Sequence, residues 1–220
     1  MQINRLLIRK FDHISKRIWL VRSFLFLLFY IYNIYGSSIL RLHKKTKQTK
    51  IHPTAQIHPS ACISPWGVVI EKNVKIGKKT VIKPHTTLNS GVIIQDQCVI
   101  GDSGYQIYRY KTKRLPIIHT GRVLISDDVY IGPNTCIDRG LFGKNTYIGP
   151  RSKIGEHVHI GHNIWIGPDS IIGNKVTIGG NTLIGEKVHI GNNSVISNRI
   201  NISSHSVLKP ETIATRGISG

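Results

Sequence analysis

The chain has 220 residues and a formal net charge of +19, from 30 Lys and Arg against 11 Asp and Glu. The charge is uneven: residues 1–50 hold eleven Lys or Arg and a single acidic residue, Asp12, so half of the excess lies in under a quarter of the chain. No recognition motif or basic helix face accompanies it, which argues against nucleic acid as a partner, and an odd set of three cysteines, Cys62, Cys98 and Cys136, fits reduced thiols in the cytosol rather than a disulfide scaffold.

The first element in chain order is the uncharged, aromatic-rich run SFLFLLFYIYNIYGSSIL, Ser23 to Leu40. It sits at the short edge of what spans a bilayer. Arg17 and Arg22 precede it, and Arg41, Lys44, Lys45, Lys47 and Lys50 follow. Basic flanks on an apolar helix suit an anionic lipid surface. Residues 1–50 are therefore read as hydrophobic, basic N-terminal helices with two roles open. They either anchor the protein, spanning or lying on the inner face of the cell membrane, or pack on the rest of the chain or on a partner subunit.

From Ile148 an aliphatic residue returns at every sixth position as far as Leu208, and Gly follows it at each step from Gly149 to Gly191. Six residues at 100° each would put successive Ile on opposite faces of a helix, so the pattern is not helical. Short strands joined by tight turns satisfy it, three to a coil of eighteen residues, with the aliphatic ladder inside. The same phase runs through Ile70 to Ile100, through Ile51, Ile57 and Ile63 after a one-residue slip, and through Ile125, Ile131 and Ile137. Residues 51–220 are thus predicted to be all-β, a hexapeptide-repeat parallel β-helix of about seven or eight coils. Two interruptions, residues 102–122 and 141–145, are expected to leave as loops on one face, the first supplying Tyr105, Arg109 and Arg114 as acceptor contacts.

Two places after each aliphatic residue comes a corner, and His162 is the one histidine in that column from Pro150 to Ser204. A corner residue is expected to face outward. One coil along, roughly 4.8 Å away, lies Gly180. An accessible imidazole beside exposed backbone suits acyl transfer: a base takes the proton of an attacking amine or hydroxyl, and a backbone N–H holds the oxyanion. Asn163, next to the base, either orients a group or only turns the chain. No metal site is expected. The cysteine separations fit no metal motif, and the histidine that could join His157 and His162 around zinc, His119, lies in the interruption; His159, His189 and His205 do not stack and read as surface residues.

The segments GDSGYQIY, LPIIHTGRVLISDDVYIGPNTCIDRG, IGHNIWIG and ATRGIS, in that order and spacing, resemble the UDP-3-O-acylglucosamine N-acyltransferases of lipid A synthesis. The resemblance covers residues 51–218. It implies a left-handed β-helix, a homotrimer with active sites between subunits, and an acyl carrier protein thioester as donor, with no bound cofactor. On this match His162 is the general base and Gly180 the oxyanion glycine. Acidic carrier proteins would also suit the basic exterior. The chain departs from the family in lacking its N-terminal uridine-binding domain, where the apolar segment stands, and in carrying Arg199 where the family has a histidine. Three functions are therefore weighed: transfer of an acyl group from a carrier protein or CoA to an amino or hydroxyl group of a sugar or sugar nucleotide; acetyl-CoA-dependent acetylation of a surface polysaccharide sugar; and a non-catalytic β-helix scaffold.

Overall fold

The computed structural model describes residues 20–38 and 48–218. They fall into two units: one combines the N-terminal helix with residues 105–118, the other holds the remaining described chain.

The larger unit is a parallel β-helix with three sheets of eight strands each. Neighbours in each sheet are one coil apart in sequence, and the aliphatic rungs align in register, as in Ile148 with Ile166, Ile166 with Ile184 and Ile184 with Ile202. Those rungs form one continuous buried cluster from Val68 to Ala214. Strands of two residues suffice because each backbone group pairs with the coils on either side. The buried hydroxyls between rungs are satisfied in the same way: Ser170 Oγ donates to the Gly185 carbonyl at 3.1 Å and accepts from the Val188 N–H at 3.2 Å.

The corners are more demanding. From Arg151 to Glu211 every sixth residue is non-glycine at positive φ, between 53° and 65°. Left-handed backbone costs such residues of order 1–2 kcal/mol each. A hydrogen bond to the coil below offsets it, as where Asn181 N–H donates to the His162 carbonyl at 2.8 Å and Lys175 N–H to Glu156 at 2.8 Å. The glycine after each rung answers to space: a Cβ on Gly167 would stand 2.6 Å from the Glu186 amide nitrogen of the next coil.

Because each coil touches only its neighbours, a core lesion acts locally and in full. Ile166 has no exposed surface, and Ile166→Ala is expected to cost about 2–5 kcal/mol. A urea midpoint that barely moves would show that the ladder relaxes around the gap.

The second interruption leaves as expected, an exposed turn from Phe142 to Lys144 with Leu141 buried at its start. The first is more ordered than a loop: residues Tyr105–Ile118 fall in the smaller unit and form an antiparallel hairpin, Ile107–Tyr110 with Lys113–Pro116.

Within that unit the helix Leu20–Ser38 meets the hairpin along one face. Phe26 stacks on Tyr110 with ring centroids 5.2 Å apart, Phe29 meets Tyr108 at 4.7 Å, and Asn33 donates to the Pro116 carbonyl at 2.6 Å. The opposite face leaves Leu20, Phe24, Leu28, Ile31 and Tyr35 exposed. This helix of 19 residues is long and apolar enough to cross a membrane. Of its expected flanks, Arg17, Arg41, Lys44, Lys45 and Lys47 lie outside the described residues.

Candidate active site

His162 sits where the period puts it, at a corner after the strand His159–Ile160. It does not face solvent freely. Only 8% of the residue is exposed, because His119, entirely buried, packs edge-on against its ring at a centroid distance of 5.2 Å. The outward reading fails because chain returning from the first interruption covers this corner. The same fact corrects the placing of His119 away from His162.

Gly180 lies directly over the imidazole. A Cβ there would stand 2.6 Å from Cε1, 2.7 Å from Nε2 and 2.9 Å from Nδ1 of His162. The ring occupies the volume that a side chain at 180 would need. At three other corners of this column the side chain one coil on caps the corner amide: Asn174 caps Glu156 at 3.1 Å, Asn192 caps Asn174 at 2.8 Å and Ser204 caps Glu186 at 3.1 Å. Gly180 cannot do so for His162.

A relay of amides fixes the proton pattern of the base. The Leu141 backbone N–H, which can only donate, bonds Asn163 Oδ1 at 2.6 Å. Asn163 Nδ2 must then donate, and it does so to Asn181 Oδ1 at 3.0 Å. Asn181 is left with its Nδ2 toward His162 Nε2 at 3.3 Å. Nε2 therefore carries the lone pair and Nδ1 the hydrogen in the neutral ring. Burial lowers the His162 pKa below its ordinary value, and a donor aimed at Nε2 works in the same direction. Replacing that donor with a carboxylate reverses it: Asn181→Asp is expected to raise the imidazole pKa and move the acid limb of the rate–pH profile to higher pH. An unmoved limb would show that Asn181 does not act on the base.

Asn163 is thus both a turn residue, at φ 56°, and a positioning group. Arg199 is exposed at the next step of the same column, its N–H donating to the Gly180 carbonyl at 3.0 Å. Tyr105, Arg109 and Arg114 are all exposed in the smaller unit, the two arginines paired across the hairpin.

A second constellation lies on the adjoining strand. Asp138 is buried, with Oδ2 3.6 Å from His159 Nε2 and Oδ1 4.0 Å from Cys136 Sγ. A Cβ on Gly104 would stand 2.7 Å from Asp138 Oδ2 and 3.0 Å from His119 Nε2, so the carboxylate and that histidine face each other across the glycine. Burial pushes the Asp138 pKa up to about 6, with Asp102 adding to the rise and His159 opposing it. Burial, with Asp138 and Asp102, pushes the Cys136 thiol up to about 11. A thiol so protonated is no nucleophile at neutral pH. The next residue, Arg139, is buried and ties this strand back to the previous coil, its Nε donating to the Gly101 carbonyl at 2.9 Å.

Comparison with known proteins agrees with this architecture. Residues 67–102 match the family described as bacterial transferase hexapeptide (six repeats), and residues 117–218 match the GMPPB C-terminal domain. The UDP-3-O-acylglucosamine N-acyltransferase of Maricaulis maris is 44% identical over 78 residues, 33% of this chain and 22% of that protein. The Caulobacter vibrioides enzyme of the same name is 39% identical over 67 residues, 30% of this chain and 20% of its own. The chain thus spans about a fifth of the length of the curated relatives it matches. A crystal structure of a UDP-N-acetylglucosamine acyltransferase superposes with a TM-score of 0.58 at 24% identity, over 76% of this chain and 65% of that one, and shows the shared fold. The chain carries the hexapeptide repeat of the bacterial transferases, and a third of it is homologous to part of the UDP-3-O-acylglucosamine N-acyltransferases.

Proposed function

We propose that the protein transfers an acyl group from a thioester, carried by an acyl carrier protein or CoA, to an amino or hydroxyl group of a sugar or sugar nucleotide. One observation carries this reading: a buried neutral imidazole with a directed Nε2 lone pair, beside a residue that has no side chain. As the acceptor attacks the thioester carbonyl, His162 Nε2 takes its proton, and the Gly180 N–H stabilises the oxyanion. The tetrahedral adduct collapses by breaking the C–S bond, and the leaving thiolate takes the proton from His162. Asn163 and Asn181 hold the ring, while Arg199 is the polar group of the same column offered to substrate.

Assembly and location belong to the same reading. Tyr147 and Trp165 stack at 4.1 Å on the outside of one sheet, and Trp165, Leu183, Ile171 and Val195 are exposed. An apolar exterior of this kind suits burial between copies in a homotrimer. The exposed face of the helix Leu20–Ser38 suits the cytoplasmic membrane surface, where a lipid-A-like or surface-glycan precursor would be met.

The test is to incubate the purified protein with a UDP-aminosugar or UDP-hydroxysugar acceptor and either hydroxyacyl carrier protein or acetyl-CoA, and to weigh the products. Carrier-protein consumption is expected. Turnover with acetyl-CoA alone would make the protein a sugar acetyltransferase, and consumption of neither donor would leave the scaffold reading. Sedimentation of the same sample should give three chains; a single-chain mass would remove the trimer.

A further inference from the structure

We infer that Cys136, Asp138 and His159 form a binding site for a single zinc ion or a similar first-row divalent cation. The three come from two adjacent coils. Cys136 and Asp138 are two apart on one strand and so share its outward face, while His159 is the register partner of Cys136 on the next strand. The thiol sulfur, one carboxylate oxygen and one imidazole nitrogen all lie within 4.8 Å of one another. Zinc at 2.0–2.3 Å from its ligands holds them about 3.3–3.8 Å apart in a tetrahedron. Here His159 Nε2 is 3.6 Å from Asp138 Oδ2, Cys136 Sγ is 4.0 Å from Asp138 Oδ1, and the three ligand atoms lie within 4.8 Å of one another, so side-chain rotation must draw them together to reach that shape.

The donor set selects the ion. A sulfur, a nitrogen and a carboxylate oxygen suit zinc and its borderline neighbours, whereas magnesium and calcium take oxygen ligands. The surroundings also suit a dication: Asp138 is a buried carboxylate whose register partner on the preceding coil is a second carboxylate, Asp102. The His159 side chain is 48% exposed, which gives the ion a way in and leaves a fourth position for water. On binding, the Cys136 thiol gives its proton to solvent and the sulfur–metal bond forms. Bound metal would clamp two coils together at the second interruption of the repeat. It would also hold the carboxylate that faces His119 across Gly104. The site does not depend on the acyl-transfer reading.

Cobalt is the probe, since thiolate ligation gives it a charge-transfer band in the near ultraviolet that imidazole and carboxylate do not. Full-length protein titrated with Co2+ should show that band at one ion per chain, and Zn2+ should displace it. Cys136→Ala should abolish the band, His159→Gln should weaken Co2+ binding at least about tenfold, and Cys62→Ala, at an exposed thiol, should change neither. His159→Gln alters a half-exposed side chain and keeps the test decisive even where Cys136→Ala folds poorly. Absence of the band in the unaltered protein, its survival in Cys136→Ala, full affinity in His159→Gln, or its loss in Cys62→Ala would each overturn the site.

Discussion

His162→Ala is expected to lower acyl transfer by roughly 10²–10⁴-fold, the usual worth of a positioned general base, while leaving the β-helix folded. The rungs on either side, Ile160 and Ile166, keep their burial. Single-turnover assays at saturating donor and acceptor would read the chemical step directly, and a rate equal to that of the unaltered protein would remove His162 from the mechanism. The unaltered protein carries a matching pH signature. Since burial holds the His162 pKa below its ordinary value, the neutral base persists at neutral pH and the acid limb lies on the low side of about 6.5. Stability follows with the same sign. The unfolded imidazole binds its proton first as pH falls, so this group costs nothing above its unfolded pKa and destabilises the fold progressively below it.

Gly180→Ala is expected to disable the site through geometry rather than chemistry. The added methyl would fall within 2.9 Å of three imidazole atoms, so either the ring or the coil must shift. A displacement near 1 Å at a reacting group costs about a hundredfold in rate, and overpacking of this kind costs about 1–3 kcal/mol of stability. A cycle of variants separates the two effects. In His162→Ala/Gly180→Ala the methyl meets no ring, so the stability lost in Gly180→Ala should return while activity stays absent. Full activity in the single variant would show that the imidazole has room the structure denies it.

The core was legible because a period of six is visible in one dimension. Each rung from Ile148 to Leu208 is buried as expected, and the eighteen-residue coil places Gly180 over His162. Asn181 was legible on the same arithmetic, one coil beyond Asn163, but the amide relay needs side-chain directions that periodicity does not give. What escaped lies where the period breaks. His119 comes from an interruption, so no count of sixes brings it to His162. Cys136 and His159 are register partners across the second interruption, whose extra five residues hide the pairing from a search at multiples of eighteen. Left-handed corners escaped for a different reason: Lys, Arg, His and Asp occupy them as well as Asn, because the hydrogen bond to the coil below compensates residues that would otherwise avoid that backbone.

The strict stacking of coils makes chain length a quantised variable in this protein. Losing one residue between Thr146 and Thr212 would turn every later side chain to the wrong face of its strand, and losing six between His162 and Gly180 would bring a different side of the prism over His162. Only excision of a full turn of eighteen returns each side to its own column. Duplication or loss of whole turns beyond Arg199 is therefore the route by which such a molecule can grow or shorten while its corner chemistry stays intact.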